Sequence, residues 1–281
     1  MLLKSRRILV LILLTVLAGL TGVRANGDDI VAYWDFDRVE DEKVVDSASG
    51  EQDNVGGEYR FVRGVKGKSL VLDGYTTRIV RPSEDVPQLG QKFTIEAWIA
   101  IGAYPWNWAP IAAQENTVSK NSNQDKICWP DDIEKDSPNE GFFFGVGPQG
   151  YLGFHAGSGE WKVCKSESKL PLRKWTHVAA VFDKKSGVEL YINGVKSSEM
   201  KIDEGFKFAD TDDLRIGMPR QKIEPSHPVR TFATLACWYS LDGLLDEVKI
   251  YKDSLSGKTL AKNYASSKPD MPAELPERVL P

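Results

Sequence analysis

From Ile30 to Tyr251 the chain runs in short stretches that alternate apolar and polar residues, cut at intervals by Gly, Pro, Asn and Asp. That period of two, with almost no helical periodicity, limits the chain to strands. Ile30 to Asp37 puts Trp34 and Phe36 on one face and Asp35 and Asp37 on the other. Ser69 to Gly74, Phe93 to Ile99, Phe142 to Val146, Tyr151 to His155, Trp175 to Phe182, Val188 to Ile192, Leu214 to Gly217 and Leu244 to Tyr251 read the same way. Gly147 to Gly150 and Asp183 to Gly187 are hairpin loops by their Pro and Gly content, and Asn193-Gly194 predicts a type I′ turn. Only Ser256 to Tyr264 reads as a short helix, with Ser254 or Ser256 as its cap. Strands at this density predict an all-β chain, a two-sheet antiparallel sandwich of the jelly-roll type. The 281 residues fit one such sandwich, since all-β domains often use roughly 200–250 residues. With 41% hydrophobic and 27% charged residues, disorder is excluded.

The first residues read as an address. Lys4, Arg6 and Arg7 precede the apolar run Ile8 to Leu20, and Val23-Arg24-Ala25 supplies a cleavage site, so residues 1–25 are expected to be a secretory signal peptide. The run is too short for a span, which needs about 20 residues, so the mature chain is expected not to cross a membrane. It is expected in the periplasm or outside the cell. Cleavage would remove four basic and no acidic residues, taking the net charge from −4 to −8. Nucleic acid is excluded as a natural partner on charge alone. Export also favours disulfides. Of Cys128, Cys164 and Cys237, the pair Cys128–Cys164 is expected, leaving Cys237 as a buried small residue.

Two segments depart from the strand pattern. Residues about 114–140 are polar and acidic, and predict a long loop inserted between strands. Residues 266–281 carry Pro269, Pro272, Pro276 and Pro281 and predict a tail or linker. The body is then a single domain over 26–265.

Trp34-Asp35-Phe36-Asp37, Leu72-Asp73-Gly74, Phe93 to Ile99, Trp175 to Asp183, Leu190-Tyr191-Ile192-Asn193-Gly194, Leu214 to Gly217 and Leu241 to Tyr251 occur in an ordered set. In that order the chain resembles the laminin-G-like jelly-roll domains of the concanavalin A-like lectin/glucanase superfamily. The resemblance spans residues 30–265 and implies two stacked antiparallel sheets, one convex and one concave. Such domains often serve as accessory modules of secreted enzymes acting on polysaccharides. The tail would suit connection to a further catalytic domain. The resemblance also implies a structural calcium ion where the first and last strands meet, with Asp35, Asp37 and Asp246 at the matching positions. Oxygen ligands of this kind suit calcium. A separate run, Asp132, Glu134 and Asp136, starts like a calcium loop but has Ser137 and Phe143 where that loop needs Gly and Glu.

Catalytic relatives hydrolyse glucans with carboxylates in a Glu-x-Asp-x-x-Glu strand, and this chain has none, Glu96 standing without a partner carboxylate in its strand. Lyase relatives place basic and Tyr or His side chains on one sheet, for which His155 and Tyr151 share a strand face. His177 reads as a packed strand residue. Sugar binding asks for aromatic faces with polar groups beside them, and Tyr104, Trp106, Asn107, Trp108, Trp129 and Trp161 could supply these, with Pro105 and Pro110 stiffening the loop. The alternative for Trp106 and Trp108 is packing beneath the inserted loop. Three readings therefore stand open. They are a non-catalytic carbohydrate-binding module for a polysaccharide or other glycan, a protein or cell-surface interaction module, and, behind both, a glycoside hydrolase or polysaccharide lyase with atypical residues.

Overall fold

The computed structural model describes residues 29–105, 107–116, 139–202, 205–219 and 240–276. The signal segment 1–25, Trp106, Cys128, Trp129 and Cys237 lie outside them.

Seventeen described strands form two sheets. The eight-stranded sheet runs, in spatial order, β15 (Val195–Met200), β14 (Gly187–Ile192), β13 (Thr176–Asp183), β8 (Lys92–Ile101), β17 (Asp242–Tyr251), β6 (Lys68–Asp73) and β5 (Arg60–Arg63). Its eighth strand, β1 (Ile30–Trp34), pairs with β17. The nine-stranded sheet runs β12 (Trp161–Lys169), β11 (Tyr151–Gly159), β10 (Asn139–Val146), β9 (Ala109–Asn116), β16 (Leu214–Ile216), β7 (Arg78–Arg81), β4 (Gln52–Gly56), β3 (Lys43–Val45) and β2 (Val39–Glu40). Every strand pair is antiparallel, as alternation with short turns predicts. The expected I′ turn forms, with φ of 51° at Asn193 and 75° at Gly194.

The alternation decides which side chains meet between the sheets. Phe93, Ile95, Ala97 and Ile99 of β8 and Val178, Ala180 and Phe182 of β13 face Phe142, Phe144 and Val146 of β10 and Leu152, Phe154 and Ala156 of β11. Phe93 packs 4.8 Å from Phe182 and 5.1 Å from Phe142, so one ring seals both sheets. Trp34 and Phe36 are fully buried, as their shared face requires. Cys164 also lies on the inner face, a buried free thiol whose Sγ is 3.6 Å from Ser198 Oγ. Burial pushes that thiol up, and its expected partner, Cys128, lies outside the described residues.

Among the described residues the one α-helix, α1 (Gly257–Ser267), is capped by Ser256, whose side chain accepts from the Thr259 N–H. Its Leu260 is buried against Ala179, Val181 and Tyr191 on the outer face of the eight-stranded sheet. Ala273 and Leu275 pack on Val71, Ala100 and Leu244 of the same face, since two apolar side chains among the prolines favour the sheet over water. Helix and tail thus cover that face. No described helix is long and apolar enough to cross a membrane. At the expected insertion, β9 runs on to Asn116 and β10 begins at Asn139, while 117–138 lie outside the described residues.

Candidate ligand-binding face

The outer face of the nine-stranded sheet carries a different set of side chains. Along β11 the outward positions are Tyr151, Gly153, His155 and Gly157, opposite Lys169, Lys165, Val163 and Trp161 of β12. On the other side, β10 places Gly145 beside Gly153 and Phe143 beside His155. The missing side chain at Gly153 leaves a gap, and Trp108 fills it. A Cβ on Gly153 would collide with the indole, and one on Gly147 would come within 3.0 Å of Trp108 Cη2. Glycine is required here by the close approach of a ring to the backbone.

Trp108 then stands edge-on to His155 at 4.5 Å between ring centroids, Phe143 lies 4.9 Å from His155 on the β10 side, and Trp161 follows at 6.3 Å. Tyr151 and His155 of β11, Trp108 wedged at Gly153 between them and Trp161 of β12 form a row over β11, each half-buried. Six residues of strand separate Tyr151 from Gly157, so the row is about 20 Å long. His155 is the polar member. Its Nε2 is buried and has no hydrogen-bond partner among the described residues, and burial pulls the imidazole down to about 4. At neutral pH it is uncharged, a neutral imidazole packed among the rings.

Of the aromatic set expected from the sequence, the structure brings together Trp108 and Trp161. Tyr104 does other work. Its ring covers Gly150 and its O–H donates to the Leu170 carbonyl at 2.8 Å, bracing the β10–β11 turn. Asn107 is buried at 4% exposure. Tyr151 and His155 join the row, together with Phe143 beneath, and the even spacing 151, 153, 155 was the sequence signal for them. Glu115 of β9 and Arg215 of β16 occupy the same face, next to Gly141 and Ala113 respectively.

The three aspartates expected at a calcium site hold turns. Asp246 Oδ2 accepts from the N–H groups of Val65 at 2.7 Å and Lys66 at 3.2 Å, and its Oδ1 from Glu247 at 2.8 Å. Burial and the adjoining Glu247 push this carboxyl up to about 8 against those bonds. Asp37 accepts from the Lys68 N–H at 2.7 Å, and Asp35 from Asp37 N–H and the Ser47 hydroxyl. Among the described residues no three His, Cys, Asp or Glu side chains cluster as a metal site. An ion at these aspartates would have to share oxygens with backbone donors.

Glu96, read from the sequence as lacking a partner carboxylate, is instead the centre of a buried cluster under α1. It accepts from Tyr251 O–H at 2.6 Å and Asn263 Nδ2 at 3.0 Å, and its Oε2 lies 3.4 Å from His177 Nε2. Burial works to raise its carboxyl, but His177, Lys249 and Tyr251 outweigh it and hold it at about 2. The helix closes this cluster from solvent, which suits it to fastening α1 to the sheet. No sequence pattern announced it, because Asn263 lies 167 residues from Glu96.

The model of the concanavalin A-like lectin/glucanases superfamily matches residues 73–261, and the chain belongs to that superfamily. No curated protein sequence matches it. Among solved structures it is similar to domain 4 of AbnA, an extracellular family GH43 arabinanase from Geobacillus stearothermophilus, in complex with arabinotriose. That likeness covers 83% of this chain and 97% of the other, at 19% identity and a TM-score of 0.57. It is also similar to a botulinum neurotoxin type C structure described by its interaction with two ganglioside molecules, at 14% identity, 86% coverage and a TM-score of 0.56. The binding domain of Paraclostridial Mosquitocidal Protein 1 aligns at 16% identity, 85% coverage and 0.56. This chain spans 52% of each of the two toxin chains. At these identities the likeness establishes the jelly-roll fold.

Proposed function

We propose that this chain is a non-catalytic carbohydrate-binding module of an exported, polysaccharide-processing protein, and that it holds glycan along the β11 row. The observation that carries the reading is the row itself. Four half-buried rings, Tyr151 and His155 of β11, Trp161 of β12 and Trp108 just before β9, line up over the glycines of β11. Aromatic faces match the apolar C–H faces of sugars, and a fixed row orders few rotors on binding. The sandwich relatives with arabinotriose and with gangliosides support the reading, as does the basic-then-apolar start of the chain for export.

The test is retention of the mature chain on a glycan array and on insoluble polysaccharides, with and without calcium, beside a reducing-end assay. Retention without released sugar, weakened by about 2 kcal/mol or more in Trp108→Ala or Trp161→Ala, is the expected result. Calcium dependence would support a bound ion, and its loss in Asp246→Asn would support Asp35, Asp37 and Asp246 as the positions that hold it. Released sugar would replace the reading with a catalytic one centred on His155, Glu115 and Arg215, and no retention on any glycan would favour a protein-interaction module.

A further inference from the structure

The row along β11 does not end neutrally. At its Tyr151 end, the β11–β12 register is broken by a bulge between Tyr151 and Gly153, so that Lys165 pairs with Gly153 and Lys169 with Tyr151. The bulge swings two lysines onto one ring. Lys165 Nζ lies 4.4 Å from the Tyr151 centroid and Lys169 Nζ 5.7 Å from it. Both side chains are exposed, and neither is in an ion pair among the described residues. Two like charges at one ring repel each other, and a ring quadrupole offsets that only in part. An anion between them would relieve it. The pairing is also against the charge of the whole chain, −4 overall.

We infer that the Tyr151–Lys165–Lys169 end of the row is an anion subsite, and that the glycan held there carries carboxylate or sulfate groups. This rests on the row being a glycan site and adds the substrate class. A sugar ring would lie on Trp108 and beside His155, while the acidic group of the next residue reaches the two ammoniums. Glu167, the acidic residue between them in sequence, donates its backbone N–H to Ser197 Oγ of β15 at 3.1 Å and makes no ion pair with either lysine among the described residues.

Affinity electrophoresis tests both statements together, with polygalacturonate as the carboxylated polymer, heparin as the sulfated one, and linear arabinan and a neutral β-glucan as uncharged ones. The wild type is run beside Lys165→Gln/Lys169→Gln and Trp161→Ala, and folding of each is checked by circular dichroism. Retardation by an acidic polymer should fall about tenfold in the lysine variant, and should collapse in 1 M salt, where the screening length is about 3 Å. Trp161→Ala should weaken retardation by the same polymer. Which acidic polymer retards the chain identifies the anionic group. Retardation by neutral polymers alone, or by acidic ones with no loss in the lysine variant, overturns the anion subsite and leaves the glycan reading standing. No retardation by any polymer fails the glycan reading, and the subsite falls with it. Non-specific attraction to polyanions is not expected of a chain with this net charge.

Discussion

Arg81 is 1% exposed, and a guanidinium stays in a core only when its charge is paired and each nitrogen finds an acceptor. Its Nε and Nη2 meet Asp53 at 3.0 and 2.6 Å, its Nη1 meets Asp46 at 2.9 Å, and its plane lies 4.6 Å over Trp34, whose indole N–H also donates to Asp53. Arg81→Met would leave two buried aspartates without their cation, and urea denaturation should show a loss of about 3–5 kcal/mol. His155 sets a second residue-scale expectation. The folded imidazole, held down to about 4, binds fewer protons than the unfolded one at its ordinary 6.5. Stability from this group is therefore complete above about 6.5 and is lost as the pH falls towards 4. His155→Phe should flatten that part of the stability profile, measured by thermal melts between those values. The sequence showed that Tyr151 and His155 share a face. It did not show that a tryptophan lies between them, because that depends on a tertiary approach across a glycine.

At the scale of elements, β11 is a strand with alternate outward side chains removed, and the gap at Gly153 is filled by Trp108. Gly153→Val should raise strand propensity yet push the indole away. Retention on glycan should then fall about as far as in Trp108→Ala, with the circular dichroism spectrum unchanged. On the opposite face, α1 is fastened by Asn263 to Glu96, a hydrogen bond to a buried charge. Asn263→Ala should cost about 1.5–3 kcal/mol in urea. Glu96, held at about 2, gives stability that is complete above its ordinary 4.5 and is lost as the pH falls from there towards 2, below the His155 window. Glu96→Gln should remove that acid limb. Strands and the I′ turn were legible because period and turn chemistry are local. The β11–β12 bulge that brings Lys165 and Lys169 to Tyr151, and the clasp of α1, were not, since each joins segments whose meeting only the packed sheets decide.

For the whole molecule, the two sheets have unequal outer faces. Helix α1 and the tail to residue 276 close the eight-stranded sheet, while the nine-stranded sheet keeps partly exposed rings in a row. The sandwich was readable from alternation along nearly the whole chain. The tail's docking was not, because its prolines outweigh Ala273 and Leu275 in any reading by composition. The central claim is that ligand is held on the nine-stranded sheet's outer face. It is tested most directly by a fluorescence titration with a soluble oligosaccharide of whichever polymer retains the chain, comparing the wild type, Trp161→Ala and Tyr75→Ala. Tyr75 is an aromatic at 50% exposure outside the row. Loss of affinity in Trp161→Ala with Tyr75→Ala unchanged is expected; equal affinity in all three would contradict the claim.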